Sequence, residues 1–307
     1  NELQIYKDFY ERLLTIDRQE LSAVNRYDHD MAKWALESAM FFMEEIKSYR
    51  HNPRFYINIF SGLDNYMKRE YEPFDKRLKS VISIMNRIPD TLETAEINLG
   101  KALPSVFCKY AKHSASGFED FFDHKLYDEI RSRTSNKDLI SEYEKSGKEA
   151  VKAFEKFSKF IDSVNSDKDE SYRLGEDKFL KMLRVTEHID LPLEELKNMG
   201  QTELKRLKDE LDSLLKENNF EGKLNTLEHD HPSEDTLIEE IKNMLSELVG
   251  FIREKNIVDL PEKLNCIVTE MPKYDDFGFA AMGTAGPFEK SDESFYYVNL
   301  PDKDWDE

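Results

Sequence analysis

The sequence predicts a mainly α fold: a layered multi-helix array with a small β element, a hairpin or edge strand, near the C-terminus. Three observations carry this. Apolar residues recur at helical spacing from the first residues to about Val258. Beyond that point come strand-like runs, Cys266–Pro272, Phe277–Phe288 and Phe295–Asn299, separated by turn residues. Turn formers also crowd there: three of the 11 glycines lie between Gly278 and Gly286, and four of the 10 prolines lie beyond Leu260.

The helices follow from spacing. Ile5, Phe9, Leu13 and Ile16 share one stripe. Leu21, Val24, Met31, Ala35, Phe42, Ile46 and Tyr49 mark a longer helix that ends before Pro53. Phe74, Leu78, Val81, Ile82, Met85 and Ile88 form a third stripe, stopped by Pro89. Asp90, with Glu93 three residues on, reads as a capping box, and Leu92, Ala95, Leu99 and Leu103 continue to Pro104. Phe118, Phe121, Phe122, Leu126 and Ile130 give the next helix. Leu139, Val151, Phe154, Phe157 and Ile161 give another, with a weak centre at Gly147. The clearest seam is Leu193, Leu196, Leu204, Leu207, Leu211 and Leu214. Leu237, Ile241, Met244, Leu248 and Phe251 follow after a Pro232-Ser233 start. Each stripe is expected to be a core face. No fixed-period repeat argues for a solenoid. Residues 165–171 form a short charged loop, so three regions are expected: 1–164, 172–257 and 258–307.

Composition narrows the function classes. Charged residues make up 35% of the 307, and 63 acidic against 44 basic side chains give a net charge of −19. Such a surface repels phosphate backbones and anionic lipid heads, so nucleic-acid and membrane partners are not expected. Cys108 and Cys266 lack metal-type spacing and are expected as two buried thiols. The richest apolar stretch, Ala35–Met43, is interrupted by Glu37 and is too short to span a membrane. No signal peptide is seen, which points to the cytoplasm, although a chain that begins with Asn rather than Met leaves room for a trimmed leader.

A catalytic constellation is not visible. The seven histidines, His29, His51, His113, His124, His188, His229 and His231, include no pair at helix-face spacing and no His-Glu-x-x-His. His229-Asp-His231 would place two imidazoles on one side of an extended segment, but a polar loop before the helix is the preferred reading. Asp28 interrupts an apolar stripe and is expected to find hydrogen-bond or ion partners. Gly278 and Gly283 lack the Lys-Ser/Thr that a phosphate loop needs.

Tyr172-Arg-Leu-Gly-Glu-Asp-Lys-Phe179, then Leu183, then Leu191-Pro-Leu-Glu-Glu-Leu-Lys-Asn-Met-Gly200, resembles a block in the family known as domain of unknown function 885. The resemblance resumes at Glu270-Met-Pro272, at 278–288 and at Tyr296-Tyr-Val-Asn299, with Pro301 and Trp305 after them. It covers 170–307, while 1–170 match in helical character only. It implies a zincin-like fold, related to the largely helical metallopeptidases of the thimet oligopeptidase and carboxypeptidase Taq type. The family's zinc-binding helix follows the Tyr-Tyr-Val-Asn block, and this sequence ends before it. No catalytic or metal-binding residue therefore carries over. The resemblance implies an N-terminal portion that is inactive alone, with zinc in a C-terminal catalytic half and a peptide as substrate. In zincins an edge strand pairs with the peptide main chain, and small residues allow close approach. Phe279, Ala280, Ala281, Met282 and Gly283 are the candidate substrate-binding strand, with Phe295–Asn299 as hairpin partner. An ordinary structural hairpin is the plainer alternative. Without a partner the apolar 277–300 segment is expected to lie exposed, since nothing follows for it to pack on. A stand-alone helical scaffold module and a small-molecule-binding bundle are the rival functions.

Overall fold

The structure, a computed structural model, describes residues 2–223, 232–275, 278–286, 289 and 292–300. In chain order the helices are α1 (Glu2–Leu14), α2 (Ala23–Phe41), α3 (Ser48–His51), α4 (Arg54–Ile57), α5 (Leu63–Lys68), α6 (Phe74–Met85) and α7 (Ile88–Asn98). Then come α8 (Ser105–Asp120), α9 (Leu126–Arg133), α10 (Lys137–Val164), α11 (Glu176–Thr186), α12 (Leu193–Glu217) and α13 (Leu237–Lys255). The strands are β1 (Leu103–Pro104), β2 (Asn165–Ser166), β3 (Cys266–Glu270), β4 (Ala280–Gly283) and β5 (Ser294–Val298). The protein is thus mainly helical, with its three-stranded sheet near the C-terminus. Two compact units divide the chain, each assembled from separated segments.

One unit holds residues 1–55, 98–107 and 164–221. Here α1 and α11 both pack on α2. Ser22 caps α2 by accepting from the Asn25 N–H at 3.2 Å. Tyr10 donates to Glu37 at 2.6 Å across α1 and α2. The Arg18 fork holds Asp30 through bonds of 2.7 and 2.6 Å. The short strands β1 and β2 pair in parallel. Asp28, expected to need partners, lies exposed; the ion pair belongs to Asp30 instead. The reason is orientation. Val24, Met31 and Ala35 are exposed with Asp28, so that stripe faces water and the buried side of α2 carries His29 and Phe41.

The other unit holds residues 56–97, 108–163 and 222–307 and contains the main core. Leu78, Val81, Ile82 and Met85 of α6, Phe118 of α8, and Phe154, Phe157 and Ile161 of α10 are buried together with Phe122, Leu126 and Ile130. Phe118 stacks on Phe154 at 5.2 Å and on Phe122 at 5.8 Å. These stripes are core faces, as their spacing predicts. Gly147 does not break α10; a Cβ added there would meet Met85 at an ordinary contact distance. The Asp90 capping box does not form. Helix α7 starts at Ile88, so Pro89 and Asp90 occupy its first turn, where a missing N–H costs nothing.

Three other stripes are not core faces. Nothing in α1, α12 or α13 is buried, and Leu204, Leu207, Leu211, Leu214, Met244, Leu248 and Phe251 are all exposed. Periodicity records that a face is apolar; it does not supply the partner that covers it. The expected pair of buried thiols is also half right: Cys108 is buried, whereas Cys266 opens strand β3 and is exposed. Among the described residues no helix is long and apolar enough to cross a membrane.

The sheet runs β3-β5-β4, with β3 parallel and β4 antiparallel to β5. The hairpin expected at 279–283 and 295–299 is present. The expectation that this segment has nothing to pack on is overturned, because helices earlier in the chain supply the surface. Val268, Met271, Tyr274, Phe295 and Val298 are buried. The backbone at Lys273–Tyr274 lies so close to α8 that a Cβ on Gly117 would meet Tyr274 N at 2.5 Å. The Tyr274 ring stacks on Phe118 at 4.1 Å. Exposure persists only in part of the segment, notably at Phe279 (83%) and Met282 (54%).

Candidate functional site

A cavity of about 390 Å³ opens beside strand β4. Its walls come from Ser61, Gly62, Asp64 and Asn65 at the start of α5, from the turn Met271, Pro272, Tyr274 and Asp275, and from β4 with Tyr297 of β5. Gly278 completes the lining. The turn is pinned from two sides: the Met271 N–H donates to the Val298 carbonyl at 2.8 Å, and the Tyr274 ring is fixed on Phe118.

Strand β4 is an edge of the sheet. Antiparallel pairs alternate between residues that exchange hydrogen bonds and residues that do not. The Asn299 N–H donates to the Phe279 carbonyl at 2.9 Å. With Ala280 opposite Val298, the same parity makes Ala281 and Gly283 the bonded partners of β5. The N–H and C=O of Ala280 and Met282 therefore point away from β5, toward the open edge.

The polar groups form one connected cluster. The Tyr297 hydroxyl donates to Asp64 Oδ2 at 3.3 Å, and Lys68 Nζ pairs with the same oxygen at 2.8 Å. Lys68 also lies 4.6 Å from the Tyr297 ring centre, a cation–π contact. Burial, and then the Asp64 charge, push the Tyr297 and Tyr274 hydroxyls well above the ordinary phenol range. Both phenols therefore stay neutral at physiological pH. Gly283 sits tightly against Tyr297: a Cβ there would meet Tyr297 Cε2 at 3.0 Å, so the ring would have to shift by a few tenths of an ångström.

Of the sequence-predicted strand, Ala280, Ala281, Met282 and Gly283 line the cavity. Phe279 does not; it stands exposed at the strand's start. Sequence reasoning missed Asp64, Tyr274 and Tyr297. Only Tyr297 carried a signal, its place in the Tyr-Tyr-Val-Asn block. The His229-Asp-His231 cluster lies outside the described residues, as do Pro301 and Trp305. Among the described residues no group of three or more His, Cys, Asp or Glu is arranged to hold a metal.

The other motif block, residues 172–200, belongs to the other unit. Gly175, at φ +74°, turns the chain into α11, and Pro192 precedes α12. Tyr172 packs edge-on against Phe107.

A solved structure described as a candidate lipoprotein of unknown function from Shewanella oneidensis shares the fold. It has a TM-score of 0.67 at 19% identity, over 98% of this chain. This chain spans 57% of that structure's own length. No curated protein matches the chain. The family described as "Bacterial protein of unknown function (DUF885)" matches residues 1–306, so the likeness extends through the N-terminal helices where the sequence showed helical character alone, and the chain belongs to that family.

Proposed function

We propose that this chain forms one wall of a peptide-binding cleft in a zincin-like metallopeptidase-family protein and performs no catalysis by itself. The observation that carries the reading is the β4 edge beside the cavity, which no described strand covers. Ala280 and Met282 each present one N–H and one C=O outward, and small neighbours let a second backbone approach. An extended peptide adds there as a further strand, held by main-chain hydrogen bonds.

The described residues do not fit a zinc ion, since no ligand group is assembled. No chemical step is assigned to them. The zinc, with its general base, belongs on this reading to a C-terminal catalytic half, joined covalently or as a separate chain.

Binding of a dye-labelled hexaalanine peptide, followed by fluorescence anisotropy, tests the proposal. Met282→Pro removes an outward-facing N–H, along with the Met282 side chain, and spares the ladder to β5. Binding by the unaltered protein and its loss in Met282→Pro, with helix content unchanged, are expected. Equal binding by both, or none by either, refutes the reading.

A non-enzymatic scaffold is the second reading, favoured by the exposed apolar faces of α12 and α13. It requires a partner protein whose binding is abolished by Leu207→Glu in α12. The lipoprotein description of the structural neighbour supports an exported location for this chain over a cytoplasmic one. Fractionation of cells expressing the native gene separates the two.

A further inference from the structure

We infer that Arg69 is the positioning residue of the β4 edge, an assignment that rests on the peptide-cleft reading of the same site. Arg69 follows α5 directly, and its N–H closes that helix on the Asn65 carbonyl at 3.1 Å. Its backbone is thereby anchored to α5. Its side chain is 9% exposed and reaches residues more than 200 positions away. Nη2 donates to the Gly283 and Thr284 carbonyls at 3.1 and 2.9 Å. Nη1 donates to Glu289 Oε2 at 2.7 Å and to the Glu293 carbonyl at 3.3 Å. The guanidinium also lies 5.3 Å from the Phe295 ring centre.

One planar group thus ties the exit of β4, the connection after it and the entry to β5 to the end of α5. The contacts fall at the end of the strand, one residue beyond Met282, whose main chain faces the open edge. A fork with fixed donor directions is needed to serve these acceptors at once; a lysine ammonium, a single point charge on a flexible stem, does not reproduce it. Arg69 touches no expected peptide atom. It acts through Gly283 and Thr284.

The test compares Arg69→Met, Arg69→Lys and Glu289→Gln with the unaltered full chain. Three readouts are taken: amide exchange at Ala281 and Gly283, which bond to β5; affinity for the dye-labelled hexaalanine peptide; and thermal melting. Arg69→Met is expected to speed exchange at both amides and to weaken peptide binding about tenfold or more, beyond what its fall in melting temperature accounts for. Arg69→Lys is expected to fail to rescue. Unchanged exchange and affinity in Arg69→Met overturn the assignment, and so does an affinity loss that merely tracks a fall in melting temperature. If Arg69→Met does not fold, Glu289→Gln decides: faster exchange with weaker binding supports the role, and no change overturns it. If the unaltered protein does not bind the peptide, the cleft reading falls and Arg69's positioning role for peptide falls with it. Amide exchange then reports only whether Arg69 holds the strand, so the two failures are distinguishable.

Discussion

Substituting Gly117 by alanine places a methyl carbon 2.5 Å from Tyr274 N and 2.6 Å from both Lys273 C and Tyr274 Cα. All three atoms belong to main chain, so no side-chain rotation relieves the clash. Either α8 or the 273–274 turn has to move. Overpacking of this kind costs ~1–3 kcal/mol. If the turn lifts, Tyr274 also loses its stack on Phe118, worth ~0.5–1.5 kcal/mol. Alanine's better helix propensity returns about 1 kcal/mol. The net expectation is a loss of about 2 kcal/mol, which lowers the melting temperature by roughly 5 °C for a unit of this size.

Gly147→Ala is the matched control. Gly147 is also a helix-interior glycine, but its added Cβ meets Met85 Cε at 3.8 Å and Tyr143 Cζ at 4.0 Å, ordinary contact distances. Only the propensity gain remains, so this variant is expected to be more stable by up to about 1 kcal/mol. Thermal unfolding of both variants under one buffer makes the comparison. A Gly117→Ala protein as stable as the parent, or shifts of equal sign in the two variants, refutes the claim that the turn is seated on α8 through Gly117.

Gly175→Ala tests backbone strain without crowding, because nothing lies within 4 Å of the added Cβ while φ is +74°; a loss of ~1–3 kcal/mol is expected from urea titration. Arg77→Met removes a buried guanidinium that donates to the Glu72, Tyr66 and Met67 carbonyls and is expected to cost about 3 kcal/mol by the same measurement. Tyr10, bonded to Glu37, has its hydroxyl pushed up to about 12, first by that hydrogen bond and then by burial and the Glu37 charge. A raised folded-state value means the contribution is whole below pH 10 and is lost as pH rises through 12. The stability difference between the parent and Tyr10→Phe is therefore expected to shrink between pH 10 and pH 12, read from melting curves.

The hairpin was legible because each of its features is local. Glycines at 278, 283 and 286, small residues at 280 and 281, and the aromatic run at 295–297 all sit within one short segment. The residues that seat it were not legible, because each looks ordinary where it stands. Arg69 lies in the run Lys68-Arg69-Glu70, which reads as a solvated face, yet it is buried against carbonyls more than 200 positions away. Gly117 ends the string Ser114-Ala115-Ser116-Gly117, where it looks like one more small residue. Its necessity comes from a turn whose sequence gives no hint of α8. The same limit explains the exposed seams of α12 and α13: a heptad-like stripe specifies an apolar face, and only a partner makes it core. The cavity beside β4 combines both kinds of information. Its strand is written locally, while Asp64 and Tyr274 reach it through contacts that no spacing rule encodes. Function at such a site depends on the nonlocal half. On the proposed peptide-cleft reading, changes at Arg69 or Gly117, outside the predicted strand, are therefore expected to disturb peptide binding as much as changes within it.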